Sequence, residues 1–167
     1  MDVIVRHART TDVPAIRALV DRYAGEQILL DKPTVALYED VQEFWVAEGE
    51  GELVGCGALH VLWDDLAEVR TLAVDPSVRG SGVGSRLLAQ LLDTARSLGI
   101  QRVFVLTFEV DFFARHGFRE IEGTPVEPEV YQELLRSMDE GVAEFLDLEK
   151  VKPNTLGNTR MLLVFDE

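Results

Sequence analysis

The sequence predicts an α/β (α+β) fold, a mixed and mostly antiparallel sheet flanked by helices on both faces. Three observations carry that prediction. An apolar strand-like run ending at Val74 passes through the bend Arg79-Gly80-Ser81-Gly82-Val83-Gly84 into an amphipathic helix-like run. The stretch Arg102–Thr107 is nearly all apolar, as a strand covered on both faces must be. Strand-like and helix-like periods then alternate along the chain without an internal repeat or low-complexity tract, the pattern of helices layered on a sheet.

Each element has its own local reason. Residues 3–6 read as a short strand. Thr11 and Asp12 cap a helix with Pro14 in its first turn, and Val13, Ile16, Leu19, Val20 and Tyr23 share one of its faces. A second, shorter helix runs over 34–40. Residues 44–48 and 53–60 flank a Gly-Glu-Gly turn and read as an antiparallel hairpin. Residues 68–74 are another strand, and 82–97 a helix ended by Gly99. The apolar 102–107 run is the central parallel strand. A short helix over 111–116 leads into Gly117-Phe118, an acidic helix covers 127–138, and 160–165 close the sheet.

With 167 residues, 47% hydrophobic and 28% charged, the chain is expected to fold as one domain, 1–167. A single cysteine makes no internal disulfide and fits a reducing cytoplasm. The first six residues show no charged head before an apolar stretch, and no run reaches membrane-spanning length. Neither a signal peptide nor a membrane partner is expected. The net charge of −14 argues against nucleic acid. Three scattered histidines and one cysteine give no metal-ligand spacing, so no metal is expected. In so acidic a chain an anionic ligand must be held by local cations and N–H groups. The acidic 127–138 segment and the exposed hairpin offer a homodimer contact.

Glycines at 80, 82 and 84 let the backbone turn its N–H groups toward one point at the positive end of a helix, a cradle suited to a pyrophosphate. No Lys-Ser/Thr pair follows the last glycine, which excludes a Walker A loop. The spacing also misses the dinucleotide fingerprint. Arg-Gly-x-Gly-x-Gly after Leu72-Ala73-Val74-Asp75-Pro76 resembles the coenzyme A loop of the GNAT acetyltransferase superfamily, and Phe112 to Phe118 resembles that family's helix and Gly-Phe turn. A closer resemblance, carried by residues 54–60, 103–107, 110–118 and 157–163, is to amino-acid N-acetyltransferases of the arginine pathway, the N-acetylglutamate synthases. It points to their short bacterial form, since the chain has no room for the amino-acid-kinase-like domain of the longer form.

The resemblance implies acetyl-CoA as co-substrate, L-glutamate or L-glutamine as acceptor, direct attack in a ternary complex, and a set of roles. Glu68 takes the position of the general base, with Arg70 on the same strand face at period two. A backbone N–H at Leu72 or Ala73, beside Val74, holds the acetyl carbonyl. The N–H groups of Arg79, Gly80, Ser81, Gly82, Val83, Gly84 and Ser85 hold the pyrophosphate, with charge from Arg79 and Arg86, while Arg115 reaches the phosphate-bearing end. Phe113 stands where the family usually has a tyrosine that protonates the leaving thiolate. Thr107, Cys56, His60, His116 and Tyr131 are the remaining candidates for that proton. Lys32, Arg70, Thr107, Thr159 and Arg160 are the expected acceptor-binding residues. Two other readings share the loop: an acetyltransferase for another small amine or a protein amino terminus, and a non-catalytic acetyl-CoA-binding module.

Overall fold

The computed structural model describes residues 2–24, 32–147 and 158–166. Seven strands form one sheet: β1 (Val3–His7), β2 (Phe44–Gly49), β3 (Glu52–Trp63), β4 (Leu66–Val74), β5 (Arg102–Thr107), β6 (Arg119–Glu120) and β7 (Thr159–Val164). Their spatial order is β1-β2-β3-β4-β5-β7-β6. Among the described residues only the β4–β5 pair is parallel. The helices are α1 (Val13–Ala24), α2 (Thr34–Glu39), α3 (Val83–Ser97), α4 (Val110–Arg115), α5 (Pro128–Leu134) and α6 (Glu140–Phe145).

Strand alternation decides which helix each face receives. Cys56 and Ala58 of β3 pack with α1 residues Val13, Ile16, Leu19 and Val20. Leu62, Leu66 and Phe104 continue that face under Leu134, Val142 and Phe145 of α5 and α6. Leu59, Ala67, Val69, Val103 and Val105 face the other way, against Leu88, Leu91, Leu92 and Ala95 of α3 and Phe113 of α4. Glu68 and Arg70 therefore point to the α1–α6 side, while the glycine bend feeds the helix on the opposite side.

The structure corrects four boundaries. The entry to α1 is a 3₁₀ turn at Thr10–Asp12, and its capping group is Asp12, whose Oδ2 accepts from Arg9 N–H at 2.7 Å. Strand β3 runs on to Trp63 and β4 begins at Leu66. The 127–138 helix ends at Leu134. A separate helix, α6, starts after Asp139, whose Oδ1 accepts from Val142 N–H at 3.0 Å as an N-cap.

Candidate active site

Two backbone features open the site. Strands β4 and β5 pair only along Leu66–Glu68 with Arg102–Phe104, then part while both continue. In β4 the register against β3 shifts between Arg70 and Ala73, with Thr71 at φ 56°. This bulge adds one residue, so that Ala73, not Leu72, rejoins the α1 face. The divergence leaves a cavity of about 550 Å³ lined by β4 from Glu68 to Val74 and by β5 from Val105 onward.

At one end lies the glycine bend. Gly80 and Gly82 take φ of 80° and 89°, values that a side chain would strain. The N–H of Arg86 is the first to join the α3 ladder, at 3.1 Å from Gly82 O. Among the described residues, the N–H groups of Gly80, Gly82, Val83, Gly84 and Ser85 find no protein acceptor. Five donors at the positive end of a 15-residue helix fit a pyrophosphate. Tyr23, at the end of α1, donates its hydroxyl to Val74 O at 2.6 Å and accepts from Arg79 Nη2 at 3.1 Å. It thereby ties the loop's arginine to the β4 edge. Sequence reading assigned Tyr23 only to the core.

At the other end, charges converge. Glu68 is 2% exposed and Arg70 7%. Arg70 Nε donates to Glu68 Oε1 at 2.7 Å, and Arg70 Nη1 lies 2.9 Å from Asp139 Oδ1. Burial works against the guanidinium charge, but Glu68 and Asp139 outweigh it and raise the Arg70 pKa. In spite of that proximity Nη1 makes no well-aligned hydrogen bond, nor does Nη2, although both are buried. Lys32, Gly141, Glu144 and Asn158 complete this end. Asn158 Oδ1 is likewise buried without a partner. Burial first, then Glu68, pushes the Glu144 carboxyl up to about 8. Sequence reading missed Glu144 and Asn158; the Asp139 cap is the signal that sets Glu144 on a helix of its own.

Of the expected residues, Glu68, Arg70, Leu72, Ala73, Val74, Arg79, Gly80, Gly82, Val83, Gly84, Ser85, Thr107, Phe113, Arg115 and Lys32 all line this one cavity. Four do not. Ser81 turns its hydroxyl back to Val78 O. Arg86 donates to Val3 O at 2.6 Å, toward β1. Thr159 sits opposite Thr107 in the β5–β7 ladder, outside the cavity. Arg160 braces a wall: Nε donates to Gly123 O at 2.8 Å, Nη2 to Phe145 O, and its plane covers the Phe104 ring at 4.9 Å. Among the five proton-donor candidates, Thr107 alone reaches the cavity. Its Oγ1 accepts from Glu109 N–H at 2.8 Å, which leaves the hydroxyl proton to donate. Cys56 is sealed, and burial pushes its thiol up to about 12. His60 pairs with Glu43, His116 with Ser85, and Tyr131 with Leu146 O.

A split parallel pair with an N–H cradle at one end and a carboxylate–guanidinium pair at the other defines a coenzyme A-dependent acyltransferase. The sequence matches the acetyltransferase (GNAT) family over residues 13–118, and the chain belongs to that family. It is 66% identical over 164 residues to an amino-acid acetyltransferase of Mycobacterium tuberculosis, covering 96% of this chain and 94% of that protein. The crystal structure of Rv2747 from Mycobacterium tuberculosis, in complex with CoA and NLQ, superimposes with a TM-score of 0.95 at 66% identity over 98% and 99% of the two chains. An N-acetylglutamate synthase from Neisseria gonorrhoeae, complexed with coenzyme A and N-acetyl-glutamate, gives a TM-score of 0.79 at 27% identity, over all of this chain and 36% of that one.

Proposed function

We propose that the chain transfers the acetyl group of acetyl-CoA to the α-amine of L-glutamate, the first step toward arginine, in the cytoplasm. The observation that carries this reading is the pairing of opposite charges at one end of the cavity. Buried Arg70 and half-buried Lys32 offer two cationic anchors, and Glu68 offers a carboxylate. An amino acid with two carboxylates and one ammonium is the complement of that set. Guanidinium clamps on carboxylate are worth about 1.5–3 kcal/mol when desolvated.

Acetyl-CoA supplies the activated thioester, held by the N–H groups of Gly80 and 82–85 and by Arg79. The backbone N–H of Leu72 polarises the acetyl carbonyl, since that of Ala73 is turned to Cys56 of β3. Glu68, fixed by the Arg70 Nε bond, receives the ammonium proton, and the amine attacks directly without a covalent enzyme intermediate. Phe113 has no proton to give, so the Thr107 hydroxyl serves the departing thiolate. Thr159 and Arg160 act through the wall they brace. L-Glutamine is the second reading, favoured by Asn158 Oδ1, a buried acceptor with room for an amide donor.

The test is product formation, read by mass, from acetyl-CoA and each of the twenty free amino acids. Turnover of glutamate, with glutamine behind it, is expected. Selective turnover of a cationic or apolar acceptor would overturn the assignment.

A further inference from the structure

Two carboxylates enter the acceptor end of the cavity, and the reaction so far uses one. Glu68 lines the cavity from the interior of β4 and is only 2% exposed. Glu144 lines the same cavity from α6 and is only half-buried. Its helix is seated on the Glu68–Arg70 pair. Asp139, the N-cap of α6, reaches Arg70 Nη1, and Gly141 lies so close to the guanidinium that a Cβ there would come 2.4 Å from Arg70 Cζ. Glu144 follows Gly141 by three residues and so shares its side of the helix. The charges facing Glu144 are Glu68 and Arg70 of β4, Lys32 ahead of α2 and Arg160 of β7. Burial and Glu68 outweigh the three cations, so Glu144 exchanges its proton near pH 8. That matches the range where an α-amine begins to lose its own. Arg70 Nη2, buried beside it without a partner, is an independent sign that a polar ligand belongs at this end.

We infer that Glu144 is a second catalytic carboxylate, forming with Glu68 a dyad that takes the acceptor's ammonium proton and hands it to solvent. The inference rests on the amino-acid acceptor reading above. The atoms balance. The nitrogen loses two protons and gains the acetyl carbon, and the C–S bond breaks with its electron pair on sulfur. One proton leaves on the coenzyme A thiol, and the other passes from nitrogen to the dyad and then to water.

The experiment has two arms on the full chain. The first is a carbon-detected NMR titration of glutamate side-chain carboxyls in the ligand-free wild type, E144Q and E68Q. One carboxyl titrating near 8 is expected, absent in E144Q and moved toward the ordinary range in E68Q. The second is the pH profile of kcat/KM with glutamate. Wild type should rise through the same pH, E144Q should lose that limb and about a hundredfold in rate, and E144D should keep the limb at a lower rate. Coenzyme A binding by E144Q serves as its folding control. The dyad is overturned if no carboxyl titrates above pH 6, or if E144Q keeps the wild-type rate and profile. A carboxyl titrating near 8 in a protein inert toward glutamate supports the dyad and overturns the substrate assignment instead.

Discussion

Tyr23 illustrates how one hydroxyl serves two elements, because it donates to the β4 edge and accepts from the loop arginine. Replacing it with phenylalanine removes two hydrogen bonds without a cavity. Y23F should weaken coenzyme A binding about five- to tenfold by calorimetry, the equivalent of roughly 1–1.4 kcal/mol. Glu144 carries a prediction of opposite sign for stability. Its folded pKa, about 8, lies above its unfolded value, so the folded state binds the extra proton between about pH 4.5 and 8. Its contribution is present at the acid end of that window and lost as pH rises to 8. E144Q, which never has to ionise, should therefore be more stable than wild type at pH 8, by on the order of 2 kcal/mol, with the gap closing toward pH 5. Thermal melts across that range measure it. A single substitution would then lower activity and raise stability.

At the scale of elements, α6 and β7 form the acceptor wall. A methyl at Gly141 would meet the Arg70 guanidinium, which is held on two sides by Glu68 and Asp139 and cannot swing away. G141A should raise the KM for the amino acid at least tenfold and leave coenzyme A affinity near wild type, since the cradle lies on the far face of the sheet. Steady-state kinetics beside calorimetry separates the two effects. This wall is also where sequence reading stopped. The strand–bend–helix at 72–88 declares itself because glycine spacing, apolar strand and amphipathic helix are all local. The break at Leu134 is not local: no proline or glycine falls between it and Asp139, and acidic residues run through both helices. Asp139 reads as one more surface acid until Val142 N–H is found on it. Arg160 failed for a related reason. Its place on β7 is legible, but whether its head enters the cavity or covers Phe104 depends on the 123–124 loop. Tyr23 fell on an apolar helical stripe, where its ring belongs, and the stripe says nothing about its hydroxyl.

For the molecule as a whole, a net charge of −14 opposes an anionic co-substrate at long range, while the N–H cradle and Arg79 attract it on contact. Salt screens the first more than the second, because the Debye length shrinks to about 8 Å at physiological ionic strength. The association rate of acetyl-CoA should thus rise, by roughly threefold between 10 and 150 mM salt, and stopped-flow mixing would read it. The brief β4–β5 pairing has a mechanical side as well. Three residue pairs at one end join what are otherwise two leaves, as in a pair of tweezers. Past that pivot, the edges facing the gap hold backbone groups that no strand completes. A pantetheine arm, with amides of its own, can lie there as a missing strand. Loading would then finish the sheet, and amide hydrogens on the facing edges of β4 and β5 should slow together in exchange by at least tenfold. Each turnover that releases coenzyme A would loosen the centre of the protein's own sheet, and each recharging would close it again.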